Sequence, residues 1–181
     1  AETALGILAR ATALGLVFIV PILAWPGAGA PFSTPKLWTV AGGSLVILAL
    51  SALTRDAGAR LAATPRIVRW AALAWVASFA WSGTLAPQVS REALVLGLAG
   101  PLFWAALVPS GATAGDVMRA WALAAAAVSA ITLAQWLRAD PFVLAGWTPE
   151  IAGASSRLRM YGTLGNPNFV AAWLAISVPV L

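Results

Sequence analysis

Arg157 and Arg159 stand a few residues ahead of Gly162-Thr163-Leu164-Gly165-Asn166-Pro167-Asn168-Phe169, which opens onto the apolar run Val170 to Leu181. Asn166 is of the type that caps a helix by accepting a hydrogen bond from a free backbone N–H. Pro167 suits the first helical position, where no N–H is needed. Gly162 and Gly165 permit a bend and the close approach of a ligand to the backbone. A helix start carries unpaired N–H groups and the positive end of the helix dipole. With two guanidinium groups beside it, this arrangement would suit an anion such as a phosphate or diphosphate. The same residues also spell an ordinary capped helix start with two interfacial arginines, and both readings stand at this point.

Other chemistry is narrowly bounded. The chain has no cysteine and no histidine. It therefore lacks the commonest general base and metal ligand, and neither a disulfide nor a thiolate is open to it. No metal centre and no cofactor is expected.

The elements that must position the motif are membrane helices. Of 181 residues, 61% are hydrophobic and 9% charged, against roughly a quarter charged in a soluble domain. Helices satisfy their own backbone in lipid, so the expected fold is all-α, a polytopic transmembrane helical bundle forming a single membrane domain over residues 1–181. The formal net charge of +5 is spread over connectors rather than clustered with aromatics, so nucleic acid is not an expected partner. The first residue is not Met and the last falls inside an apolar run. The sequence is accordingly expected to be a truncated piece of a longer chain. Glu2 near the start and the lack of a clear cleavage site argue against a signal peptide.

A span needs about 20 mostly apolar residues. Six segments of that kind are expected, at about 4–25, 37–53, 67–85, 93–108, 120–137 and 167–181. Gly42-Gly43 and the run Ala124-Ala125-Ala126-Ala127 mark close helix contacts. Pro101 is expected to kink its helix or open a carbonyl. Trp25 and Trp38 bracket the first loop, as an aromatic belt would.

Arg55, Arg60, Arg66 and Arg69 share the connector Thr54 to Arg69 with a single acid, Asp56. The positive-inside rule places that loop in the cytoplasm. By alternation the amino terminus lies inside, while Pro26 to Lys36, Pro87 to Glu92 and the connector 138–166 lie outside. Lys36, Arg91, Arg138, Arg157 and Arg159 then sit on the side the rule does not favour. Glu92 can neutralise Arg91, and Asp140 can neutralise Arg138. For Arg157 and Arg159 the nearest acid is Glu150, and an unpaired Arg near the bilayer tends to face protein, water or an anion. Lys36 would join them if its connector converged on the same place. The outcome is an expected cationic pocket for a lipid carrying phosphate or diphosphate.

Arg159-Met160-Tyr161-Gly162-Thr163-Leu164-Gly165-Asn166-Pro167-Asn168-Phe169, followed by Val170 to Ala175 and Pro179, resembles the O-antigen ligase family of bacterial inner-membrane proteins. The likeness is tight from Arg157 to Leu181 and loose over the rest, where the Lys36 connector is also similar. The resemblance implies the amino-terminal half of an enzyme of the inner (cytoplasmic) membrane. Such an enzyme moves a glycan from an undecaprenyl-diphosphate carrier to an acceptor on the periplasmic face, without a nucleotide sugar or a metal. Arg159 would stabilise the departing diphosphate. Arg157, Gly165, Asn166, Asn168, Lys36 and Arg91 would bind substrate, and a base would activate the acceptor hydroxyl. Implied partners are the polyprenyl-diphosphate-linked glycan, membrane lipid and other membrane subunits. Members place a histidine in a large periplasmic loop of the carboxy-terminal half. This sequence has none, so the chain by itself is expected to be inactive. Two alternatives remain: a catalytically inactive structural or accessory subunit of a larger complex, and a small-anion transporter, which inverted repeats would support although none is visible.

Overall fold

A computed structural model describes residues 3–25, 28, 32–54, 56–85, 91–147, 160–165 and 167–180. Every regular element among them is helical. In chain order these are α1 (Ala4–Ile22), α2 (Thr34–Ala52), α3 (Ala57–Ala63), α4 (Arg66–Leu85), α5 (Arg91–Ser110), α6 (Ala114–Trp136), α7 (Pro141–Leu144) and α8 (Pro167–Ser177), followed by a 3-10 turn at Val178–Val180.

Helices α1, α2, α4, α5, α6 and α8 fall where the apolar segments were expected, but only three helices among the described residues are long and apolar enough to cross a membrane. These are α1, α2 and α6. The described part of α5 and the body of α8 form shorter apolar stretches, Leu98–Ser110 and Asn168–Ser177. The expectation of six spans is thus corrected to three by this measure. Large apolar side chains along these helices lie exposed, among them Ile7, Leu8, Ile19, Leu45, Val46, Leu123 and Leu133. That is the surface of a membrane protein, where lipid rather than water is the neighbour.

Two short helices interrupt stretches expected to be plain connectors. Helix α3 lies inside the basic loop 54–69, and α7 lies inside 138–166. Helix α5 continues through both Pro101 and Pro109.

The chain divides into two compact units, residues 1–16 with 37–113, and residues 17–36 with 114–181. In the first, a stripe of small residues on α1 (Gly6, Ala9, Ala13) is buried, as are Ser44, Ile47 and Ser51 on α2. A Cβ on Gly43 would lie 2.6 Å from Leu16 Cδ1, whereas one on Gly42 would meet nothing within 4 Å. Of the expected glycine contact pair, Gly43 alone makes the contact. Helix α5 packs on α3 and α4. Arg60 of α3 donates from Nη1 to the Pro109 carbonyl at 3.1 Å, placing a cation at the carboxy-terminal end of α5, where the helix dipole favours it.

In the second unit α6 carries a buried stripe of Ala120, Ala124, Ala125, Val128 and Gln135 and packs against α7, α8 and the 3-10 turn. Trp121 stacks on Trp173 with ring centroids 5.1 Å apart, and its Nε1 donates to Ser177 Oγ at 2.8 Å.

Candidate functional site

The motif turn lies in the second unit, and four segments meet at it. They are the end of α1, the start of α2, the α6–α7 corner and residues 160–165. Helix α1 runs past Pro21 to Ile22, and the Leu23 N–H still reaches the Ile19 carbonyl at 2.9 Å; beyond that the last carbonyls are left without helical partners. Two residues from elsewhere take them up. Thr163 Oγ1 donates to the Pro21 carbonyl at 2.6 Å. Lys36 Nζ donates to the Leu23 carbonyl and, at 2.6 Å, to the Thr163 carbonyl. Thr163 itself is fully buried. The structure thus brings Lys36 to the Gly-Thr-Leu-Gly turn, 127 residues away in sequence, and engages its ammonium with backbone.

Both turn glycines have positive φ, +52° at Gly162 and +74° at Gly165, so the backbone needs glycine there. The space a side chain would take is filled by protein. A Cβ on Gly162 would lie 2.8 Å from Val170 Cγ2 and 3.1 Å from Thr132 Oγ1, and one on Gly165 would lie 2.7 Å from Phe32 Cδ2. The Gly162 N–H donates to Gln135 Oε1 at 2.8 Å.

One carboxylate joins the turn to α7. Asp140 caps α7, its Oδ1 accepting from the Phe142 N–H at 2.9 Å, and the Tyr161 hydroxyl donates to Oδ2. The Asp140 carboxylate thus holds the amino-terminal end of α7 and the turn together. Tyr161 is buried, and burial, reinforced by the adjacent Asp140 carboxylate, pushes its phenol well above the ordinary tyrosine value. Phe32, Phe142, Trp147 and Tyr161 form one aromatic cluster around this point, with Phe32 5.5 Å from Trp147 and 5.6 Å from Tyr161 between ring centroids.

Beside the turn lies a cavity of about 330 Å³. Phe18, Ile19, Ile22, Ile131 and Phe142 give it apolar walls, and Thr163 contributes to its lining. Neither the cavity nor the Tyr161–Asp140 contact was expected from sequence. The Asp140-Pro141 pair ahead of an apolar tetrad and Gly146 is, however, a legible signal for α7.

The remaining site residues divide as follows. Gly165 sits in the turn, and Asn168 is the exposed second residue of α8. Arg91 begins α5, with its side chain outside the described residues. Arg157, Arg159 and Asn166 lie outside the described residues altogether. Among the described residues no group of three or more His, Cys, Asp or Glu is placed to hold a metal. Comparison with protein-family models, curated proteins and solved structures finds no match to the chain.

Proposed function

We propose that the chain is part of a membrane glycosyl-transferring ligase. The enzyme would take a glycan from an undecaprenyl-diphosphate carrier and pass it to an acceptor on the periplasmic face of a bacterial inner membrane, with the amino terminus cytoplasmic. The observation that carries the reading is the double position of Thr163. It belongs to the motif turn and also lines the apolar cavity. A lipid with a charged headgroup needs such a junction, hydrocarbon on one side and polar backbone with cationic side chains on the other. Arg159, immediately ahead of the turn in sequence, is the group assigned to the departing diphosphate, and Arg157 assists it. In a low-dielectric site a fixed cation stabilises charge as it develops on the leaving oxygen.

The test uses the whole reading frame in membrane vesicles with a polyprenyl-diphosphate-linked glycan. Arg159→Ala should slow transfer about 100-fold or more, as loss of a group that stabilises developing charge does. Transfer at the parent rate by that variant removes Arg159 from the reaction. Cysteines placed at Ser156 and Ala63 should react with an impermeant maleimide from opposite sides of the membrane.

A second reading is favoured by the hydrogen bonds themselves. The Thr163 hydroxyl and carbonyl and the Gly162 N–H are all bonded within the protein, as a structural subunit would have them. Stable co-purifying membrane partners with no transfer by the whole chain would establish that reading.

A further inference from the structure

We infer that Lys36 is a positioning residue that fixes the motif turn to the end of α1. The inference deepens the ligase reading and rests on it for the catalytic arm of the test alone. An ammonium has three donors. Two of them are spent here, on the Leu23 carbonyl at the end of α1 and on the Thr163 carbonyl at the centre of the turn. Both hydrogen bonds are part-buried, and a carbonyl left unpaired where water is partly excluded is costly. Removing the ammonium orphans both at once. Among the described residues it breaks one of two hydrogen-bonded links between turn and helix, the other being Thr163 Oγ1 on the Pro21 carbonyl. The cation is placed correctly for this work, since the carboxy-terminal end of a helix is its negative pole. Lys36 is also near the amino-terminal end of α2, which disfavours a cation, so its contacts at α1 and at the turn must outweigh that repulsion. The turn leads directly into α8 at Pro167. Lys36 therefore sets where the residues on either side of the turn stand relative to α1.

The parent chain has no cysteine, so Leu164→Cys gives a single reporter in the turn. Lys36→Met should raise its labelling rate by an impermeant maleimide about fivefold or more, the lower end of the opening that two lost hydrogen bonds allow. Lys36→Arg should bring the rate back to within about twofold of the parent, because a guanidinium also bridges two carbonyls. If Lys36→Met fails to accumulate, Thr163→Val, which loses only the bond to Pro21, should raise labelling by a smaller factor. A reporter rate unchanged in either loosened variant overturns the inference. In the transfer assay Lys36→Gln should lower kcat with KM for the lipid carrier unchanged, and Lys36→Arg should restore kcat. A raised KM with kcat intact overturns it and makes Lys36 a ligand contact. Loss of transfer in the parent would strike the ligase reading, while the labelling result would still decide the role of Lys36.

Discussion

Phe32 packs against Gly165 so closely that a methyl group on the glycine would lie 2.7 Å from ring atom Cδ2. The glycine gives access to an aromatic ring of the same chain, at a backbone φ of +74°. Gly165→Ala should therefore destabilise the protein twice over. The left-handed backbone costs about 1–2 kcal/mol with a Cβ, and the overpacking about 1–3 kcal/mol more. Thermal unfolding in detergent, followed by tryptophan fluorescence, should show a lowered midpoint. Gly165→Ala should cost less in a Phe32→Ala background than in the parent, because the two nearest atoms, Cγ and Cδ2, are gone while the φ penalty stays.

Arg138 is the single described residue other than glycine with positive φ, at 63°. It ends α6 in a Schellman arrangement, with Arg138 N bonded to the Gln135 carbonyl and Ala139 N to the Ala134 carbonyl. Glycine is the residue this position favours. Arg138→Gly should raise the unfolding midpoint, by an amount corresponding to about 0.5–1 kcal/mol once the extra freedom of glycine in the unfolded chain is allowed for. A lowered midpoint would mean that the Arg138 side chain contributes more than its backbone costs.

The helices were legible in sequence because apolar runs of membrane length leave little else for the backbone to do. Their ends were less so. Lys36 reads as an outer-loop charge, and nothing local shows that it reaches the turn through a contact 127 residues long. Gly162 and Gly165 announce a bend, but which neighbour fills the space beside each is settled by Val170 and Phe32, which are tertiary partners. Helix α3 was missed because its seven residues sit in a basic loop read for topology alone. Hydropathy also makes α8 look like a span, although it turns into a 3-10 segment at Val178.

The seam between α6 and α8 rests on Trp121, stacked on Trp173 and donating to Ser177. Ser177 Oγ in turn donates to the Trp173 carbonyl at 2.7 Å. Ser177→Ala leaves the indole N–H without an acceptor and should cost about 0.6–1.7 kcal/mol, the range for such bonds in a membrane protein. Trp121→Phe keeps a ring for stacking and removes the donor. In a double-mutant cycle Ser177→Ala should then cost less in the Trp121→Phe background than alone. Strict additivity would show that the hydrogen bond carries no coupling.

Tyr161 is the only tyrosine in the chain, so the tyrosinate absorbance band reports on it directly. Burial first, then the hydrogen bond to Asp140 and that carboxylate's charge, raise its ionisation above the ordinary value, with Gln135 opposing weakly. The folded protein should show no tyrosinate band at about pH 10, where a free tyrosine is half ionised, and the band should appear once the chain is unfolded in denaturant. Asp140→Asn should move the folded-state midpoint down but leave it above the ordinary value, because the larger contribution, burial, remains. A group with a raised folded-state value stabilises the fold fully below its unfolded value and loses that contribution as the pH climbs through the folded one. Stability should therefore hold across neutral pH and fall only under strongly alkaline conditions, and Tyr161→Phe should flatten that alkaline fall. A tyrosinate midpoint at the ordinary value in the folded protein would show the phenol open to water, and the Asp140 contact would not be holding the turn.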